Sequence, residues 1–84
     1  MAEQEVKVTN EVGLHARPAA EFIKAAGQFA SDIKLRKGTA EANAKSMLSV
    51  LKLDVRQDDL VSVSASGADE DEALEALVSL IQSL

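Results

Sequence analysis

The sequence predicts a two-layer α+β domain in the order βαββαβα, a four-stranded antiparallel sheet carrying three helices on one face. Two periodicities and their order support this. Residues 5–9, 32–36 and 60–66 alternate polar and apolar side chains, the period of a half-buried strand. The segments after residues 16, 46 and 69 instead space apolar side chains three and four apart, the period of a helix with one buried stripe. Strands with one apolar face and helices with one apolar stripe bury both when all three helices cover one sheet face. Split β-α-β units are the natural wiring, because a crossover helix leaves room for another strand between the two strands it joins.

Each element has its own local reason. Glu5-Val6-Lys7-Val8-Thr9 alternates and reads as the first strand, with a loop from Asn10 to Gly13. From Ala16 the period changes: Ala19, Phe22, Ile23, Ala26 and Ala30 fall at helical spacing, and Gly27 ends or frays that helix. Asp32 to Arg36 alternates again, Lys37-Gly38 is a turn, and the alanine-rich stretch Thr39 to Asn43 returns as the second arm of a hairpin. Ser46 is the expected N-cap of a short helix through Met47, Leu48, Val50 and Leu51. Asp58-Asp59 turns the chain into the clearest strand, Leu60 to Ser66, with Val61, Val63 and Ala65 on one face and serines on the other. Gly67 breaks it. Asp69 and Glu72 then have capping-box spacing, and Ala73, Leu74, Leu77, Leu80, Ile81 and Leu84 form the stripe of the last helix. The acidic first turn Asp69-Glu70-Asp71-Glu72 suits the positive end of that helix dipole.

The 84 residues suffice for one domain, expected over residues 1–84. With no cysteine there is no disulfide and no thiolate metal site; with one histidine, metal ligands would have to be carboxylates. No apolar run approaches the roughly 20 residues of a membrane span, and the polar, acidic start is unlike a signal peptide, so the cytoplasm is the expected compartment. A net charge of −5 argues against general nucleic-acid binding. That charge is uneven: residues 1–45 hold seven basic and six acidic side chains, residues 46–84 two and eight, so anions should meet the first half.

The informative stretch is Gly13-Leu14-His15-Ala16-Arg17-Pro18-Ala19. It places the only histidine at or next to a helix N-cap, with Pro18 in the first turn, where a missing amide hydrogen costs nothing. Free amides and the dipole at a helix start favour anions. Neutral imidazole is a nucleophile, and the Arg17 guanidinium supplies a charge-assisted contact to a phosphoryl group. Nucleophile, anion cradle and cation thus lie within a few residues. On residue chemistry alone two readings stay open beside a phosphoryl carrier, since a histidine before a helix is more often an ordinary polar cap and helix starts bind anions without chemistry.

The motif Gly-Leu-His-Ala-Arg-Pro-Ala strongly resembles the active centre of HPr, the histidine-containing phosphocarrier family of the phosphoenolpyruvate-dependent sugar phosphotransferase system. Ala44-Lys45-Ser46-Met47-Leu48 resembles that family's regulatory-serine region, and Ser64-Ala65-Ser66-Gly67-Ala68-Asp69-Glu70 its last strand-to-helix junction. The resemblance implies an open-faced β-sandwich and a carrier, not an enzyme, that needs no cofactor or metal. It implies that His15 is phosphorylated through Nδ1, that Arg17 is its electrostatic partner, and that the backbone amides of Ala16 and Arg17 contact the phosphoryl oxygens. The donor would be Enzyme I and the acceptors Enzyme IIA domains. Ser46 would be a regulatory phosphorylation site for a serine kinase and phosphatase, with a transcriptional regulator as a further partner. Docking would use Ala16, Arg17, Ala20, Lys24, Met47, Leu48 and Leu51, although helical spacing by itself favours core packing for the last three. Neither nucleic acid nor membrane is an expected partner, and the expected state is a monomer. Two departures stand out. Where this chain has Val12, the family often has Asn or Ser, whose side chain helps to orient the ring. Thr9-Asn10-Glu11-Val12-Gly13 also resembles the nitrogen-related branch of the system, so a regulatory binding module or a nitrogen-related carrier of the same fold is the alternative.

Overall fold

The computed structural model describes residues 1–84. Its elements run β1 (Ala2–Lys7), α1 (Ala16–Ala26), β2 (Asp32–Lys37), β3 (Ala40–Asn43), α2 (Met47–Lys52), β4 (Leu60–Ser66) and α3 (Glu70–Gln82). The sheet has the order β1-β4-β2-β3, and every neighbouring pair is antiparallel. Both crossovers skip one strand: β1 and β2 flank β4, and β3 and β4 flank β2, which is the split β-α-β wiring expected from the element order.

The alternation predicted for the strands is what fills the core. Val6, Ile33, Leu35, Ala42, Val61, Val63 and Ala65 point from the sheet toward the helices, and all are buried. They meet Ala19, Phe22 and Ala26 of α1, Val50 of α2, and Ala73, Leu77, Val78 and Ile81 of α3 in one cluster. Phe22, fully buried in this cluster, contributes about 1.5–3 kcal/mol of transfer free energy. The β2–β3 hairpin turns through Gly38-Thr39, one residue later than the predicted Lys37-Gly38. Only Gly38, the first of the two turn residues, has a positive φ (62°), the pattern of a II′ turn.

Several sequence expectations shift. The first strand spans Ala2–Lys7 and not 5–9, because β1 is an edge strand held by the ladder to β4, from Ala2↔Ala65 to Lys7↔Leu60, and that pairing needs no apolar alternation. Val8 lies beyond the strand, where it donates to the Asp59 carbonyl and accepts from the Asp58 amide. The second hairpin arm starts at Ala40 and not Thr39, since Thr39 completes the turn. Helix α1 ends at Ala26, so Ala30 lies outside it and is exposed; Leu84 lies beyond α3. The capping box at Asp69 and Glu72 does not form. The Asp69 carboxylate instead accepts from the Ala30 amide (2.9 Å), the Ser31 amide (2.9 Å) and the Ser31 hydroxyl, tying the α1–β2 link to the start of α3. Glu70 takes over locally, its Oε1 accepting from the Gly67 amide at 3.2 Å.

The Ser31 hydroxyl, helped by the Ala30 and Ser31 amides, holds the Asp69 carboxyl below the usual carboxylate range. A depressed folded-state value means that this contribution is complete above the unfolded pKa of about 3.9 and is lost as pH falls through the lower folded value. The Tm of the wild type is therefore expected to drop on acidification below about pH 4. Asp69→Asn should lower Tm at pH 7 and flatten that acid drop in a thermal-unfolding series. An unchanged acid profile in the variant would contradict the assignment.

Candidate functional site

The start of α1 is built by a packed turn. Asn10 Nδ2 donates to the Gly13 carbonyl (2.9 Å), and the Gly13 amide donates back to the Asn10 carbonyl (3.3 Å). Gly13 has φ +63°, and a Cβ there would lie 2.1 Å from the Val55 carbonyl oxygen. The next amide, Leu14 N–H, donates to that same carbonyl at 3.1 Å, and the Leu14 side chain is fully buried. The loop before the histidine is thereby fastened to the segment between α2 and β4.

His15 is the N-cap of α1, with extended backbone (φ −125°, ψ 156°), and its ring does not cap the helix. Ala16 follows with φ +52°, a left-handed conformation that costs an alanine about 1–2 kcal/mol. The amides of Ala16 and Arg17 make no hydrogen bond within the chain, and Pro18 has no hydrogen to donate. Two donors are therefore free at the positive end of an 11-residue helix. The Arg17 side chain is exposed, and no carboxylate of the chain pairs with it.

The imidazole leans toward a residue that the sequence reading missed. His15 Nε2 lies 3.2 Å from Asp54 Oδ1, with both side chains half-exposed. The other oxygen, Oδ2, accepts from Arg56 Nε (3.0 Å) and lies 2.9 Å from Nη2, so both guanidinium nitrogens meet one oxygen and Oδ1 is left to the ring. Lys37 Nζ donates to the Asp54 carbonyl (2.7 Å) and pairs with Asp59 Oδ2 (3.0 Å), which in turn accepts from the Arg56 amide (2.8 Å). The Arg56 hydrogen bond, then the charges of Arg56 and Lys37, hold the Asp54 carboxyl below the usual range. The Arg56 amide and Lys37 do the same for Asp59. Asp54 itself has φ +53°, a conformation that Asp tolerates better than most residues. That tolerance was a local signal in Leu53-Asp54-Val55-Arg56, but nothing in the local sequence points to a histidine so far along the chain.

Helices α1 and α2 pack beside each other. Ala16, Arg17, Ala20 and Lys24 are exposed on α1. On α2 the packing takes Val50, with Leu53 just beyond it, and leaves Met47, Leu48 and Leu51 at 40, 65 and 37% exposure, against the core placement that spacing alone favoured. Ser46 is the N-cap of α2, as expected, its Oγ accepting from the Ser49 amide at 3.4 Å. Val12 is 56% exposed and has no polar atom to offer the ring. No three His, Cys, Asp or Glu side chains form a metal-binding group, and no helix is long and apolar enough to cross a membrane.

Residues 2–83 match the family described as PTS HPr component phosphorylation site. The chain belongs to the HPr family. Phosphocarrier protein HPr of Haemophilus influenzae is 40% identical over 84 residues, covering all of this chain and 99% of the relative. A crystal structure of HPr-C-His from Thermoanaerobacter tengcongensis superposes with a TM-score of 0.97 at 46% identity, covering 99% of this chain and 93% of that one. The HPr-like protein Crh of Bacillus subtilis, solved as a dimer with a swapping domain, superposes at 0.80 with 42% identity, covering 99% and 95%. The HPr architecture and the wiring read from this sequence agree, and the family's function is that of a phosphocarrier of the phosphotransferase system.

The packed turn makes a graded prediction about stability. Gly13→Ala combines a strained φ with a clash against backbone and should cost about 2 kcal/mol or more. At Gly38, where a Cβ meets open space, alanine should cost only about 1 kcal/mol. Urea-denaturation midpoints of the two variants check this, and equal losses would contradict it.

Proposed function

We propose that this chain is a cytoplasmic phosphocarrier that accepts a phosphoryl group on His15 Nδ1 from phosphorylated Enzyme I and passes it to Enzyme IIA domains. The observation that carries this reading is the pairing of a half-exposed ring with the two free amides of Ala16 and Arg17, in a chain of the phosphocarrier family. In the ring, Nε2 faces Asp54, so Nδ1 is the nitrogen left for phosphorus. The developing negative charge on the phosphoryl oxygens would meet the two amides and the helix dipole, with Arg17 adding a mobile cation. The rigid turn at Gly13 and Leu14 lowers the cost of orienting these groups.

Docking is assigned to Ala16, Arg17, Ala20 and Lys24 of α1 together with Met47, Leu48 and Leu51 of α2. An exposed apolar patch rimmed by Arg17, Lys24 and Lys52 suits an acidic partner surface with an apolar centre. A phosphate on the half-buried Ser46 would add about two negative charges beside that patch and weaken docking of Enzyme I. The similarity to Crh, 43% identity over 98% of this chain and 96% of the relative, favours a second reading, a regulatory binding module acting through Ser46 and the apolar patch. The expected state is a monomer, and light scattering that returns twice the chain mass would overturn it.

Incubation with Enzyme I and phosphoenolpyruvate should add one acid-labile phosphate by intact mass, and His15→Ala should abolish it. Arg17→Ala should slow the transfer about tenfold. An unmodified wild type beside an active Enzyme I would contradict the carrier reading. Transport that survives His15→Ala, with regulation lost in Ser46→Ala, would favour the regulatory module. Leu48→Asp, at an exposed position, should weaken Enzyme I binding about tenfold in titration calorimetry while leaving Tm unchanged. Unaltered affinity would remove Leu48 from the docking surface.

A further inference from the structure

We propose that Asp54 is the positioning residue for His15, holding the hydrogen on Nε2 so that Nδ1 presents its lone pair before transfer and neutral imidazole leaves afterwards. This rests on the carrier reading of His15. The contact is built into the chain on both sides. Arg56 occupies Oδ2 with two nitrogens, which leaves Oδ1 turned to the ring at 3.2 Å. The backbone of Asp54 is pinned by Lys37 Nζ on its carbonyl and by the Leu51 carbonyl on its amide (3.1 Å). The whole segment is fastened to the histidine loop through Val55 and Leu14. The 3.2 Å separation is within reach of a charge-assisted N–H···O bond. Val12, exposed and apolar, offers no competing partner.

The chemistry explains why a carboxylate belongs on this side of the ring. In the forward step the Nδ1 lone pair forms the N–P bond, while the donor's bond to phosphorus breaks and its electron pair leaves with the donor. Nε2 keeps its hydrogen throughout, so the ring becomes an N-phosphoimidazolium whose positive charge faces Asp54. On transfer to the acceptor, the N–P bond breaks and its electron pair returns to Nδ1. The leaving group is then neutral imidazole, far better than imidazolate, and no proton has to move in either direction. A carboxylate beside the phosphoryl group would repel it; on Nε2 it lies on the other side of the ring, and the Arg56 fork offsets its charge.

Because His15 is the only histidine, its ring nitrogens can be read directly in a 15N-labelled chain by long-range 1H–15N correlation. Asp54→Gly and Asp54→Asn both accept the positive φ of this position, so both should fold. In the wild type the hydrogen should sit on Nε2, and that N–H should stay visible at neutral pH both before and after phosphorylation. Asp54→Gly should lose the resolved Nε2–H to solvent exchange in both states. Asp54→Asn, which keeps an acceptor without the charge, should retain it only in the unphosphorylated state. Transfer from saturating phosphorylated Enzyme I should slow about fivefold in Asp54→Gly, with the half-saturating donor concentration unchanged, the scale of one exposed charge-assisted contact. Ring spectra and transfer rates identical in all three proteins would overturn the proposal, as would a wild-type hydrogen on Nδ1. A wild type that takes no phosphoryl group at all would overturn the carrier reading and the role of Asp54 with it, and the ring spectra would separate that failure from a missing contact.

Discussion

The approach of Gly13 and Leu14 to the Val55 carbonyl is the constraint on which the rest of the site depends. One carbonyl oxygen accepts the Leu14 amide and lies where any Cβ on residue 13 would have to go. This fastens two loops that are distant in sequence and that the β1–β4 pairing brings close. From it follow the position of His15 at the cap of α1, the exposure of the first two helix amides, and the presence of Asp54 beside the ring. The sheet order β1-β4-β2-β3 brings the ends of β1 and the β4 entrance together, and the apolar cluster behind them makes the platform rigid.

Strain and order trade against each other at this point. Ala16 and Asp54 both hold positive φ, and each such residue costs on the order of 1 kcal/mol or more. Those costs are carried by the folded core, in which the nearby Leu14 and Val55 are fully buried. In return the helix begins with its first donors turned out and without acceptors in the chain. The half-exposed ring has a carboxylate 3.2 Å from one nitrogen, and in the carrier reading it is the other nitrogen that takes the phosphoryl group.

Much of this was legible in the sequence, for physical reasons that can be named. Period-two and period-3.6 patterns located β2, β4, α1 and α3, because half-burial leaves that imprint. Gly13 and Pro18 bracketed the start of α1 because backbone geometry favours a glycine in the tight turn and a proline in the first helical turn. The first residues of β1 were not legible, since an edge strand held by backbone pairing leaves little side-chain pattern. The Asp69 capping box failed because Ser31 and Ala30, far away in sequence, compete for the same carboxylate. Met47, Leu48 and Leu51 followed a core-like spacing, yet a six-residue helix buries only Val50 within it and leaves the rest outside. Asp54 and Arg56 were missed for the same reason as Ser31: their partners come from tertiary contact.

The most direct test is the position of phosphorus on the ring. A 1H–15N–31P correlation on the enzymatically phosphorylated, 15N-labelled chain should show phosphorus coupled to His15 Nδ1, with hydrogen on Nε2 facing Asp54. Phosphorus on Nε2, or on any residue other than His15, would contradict the account, because that nitrogen is the one the carboxylate occupies and the free amides of Ala16 and Arg17 would then have no role.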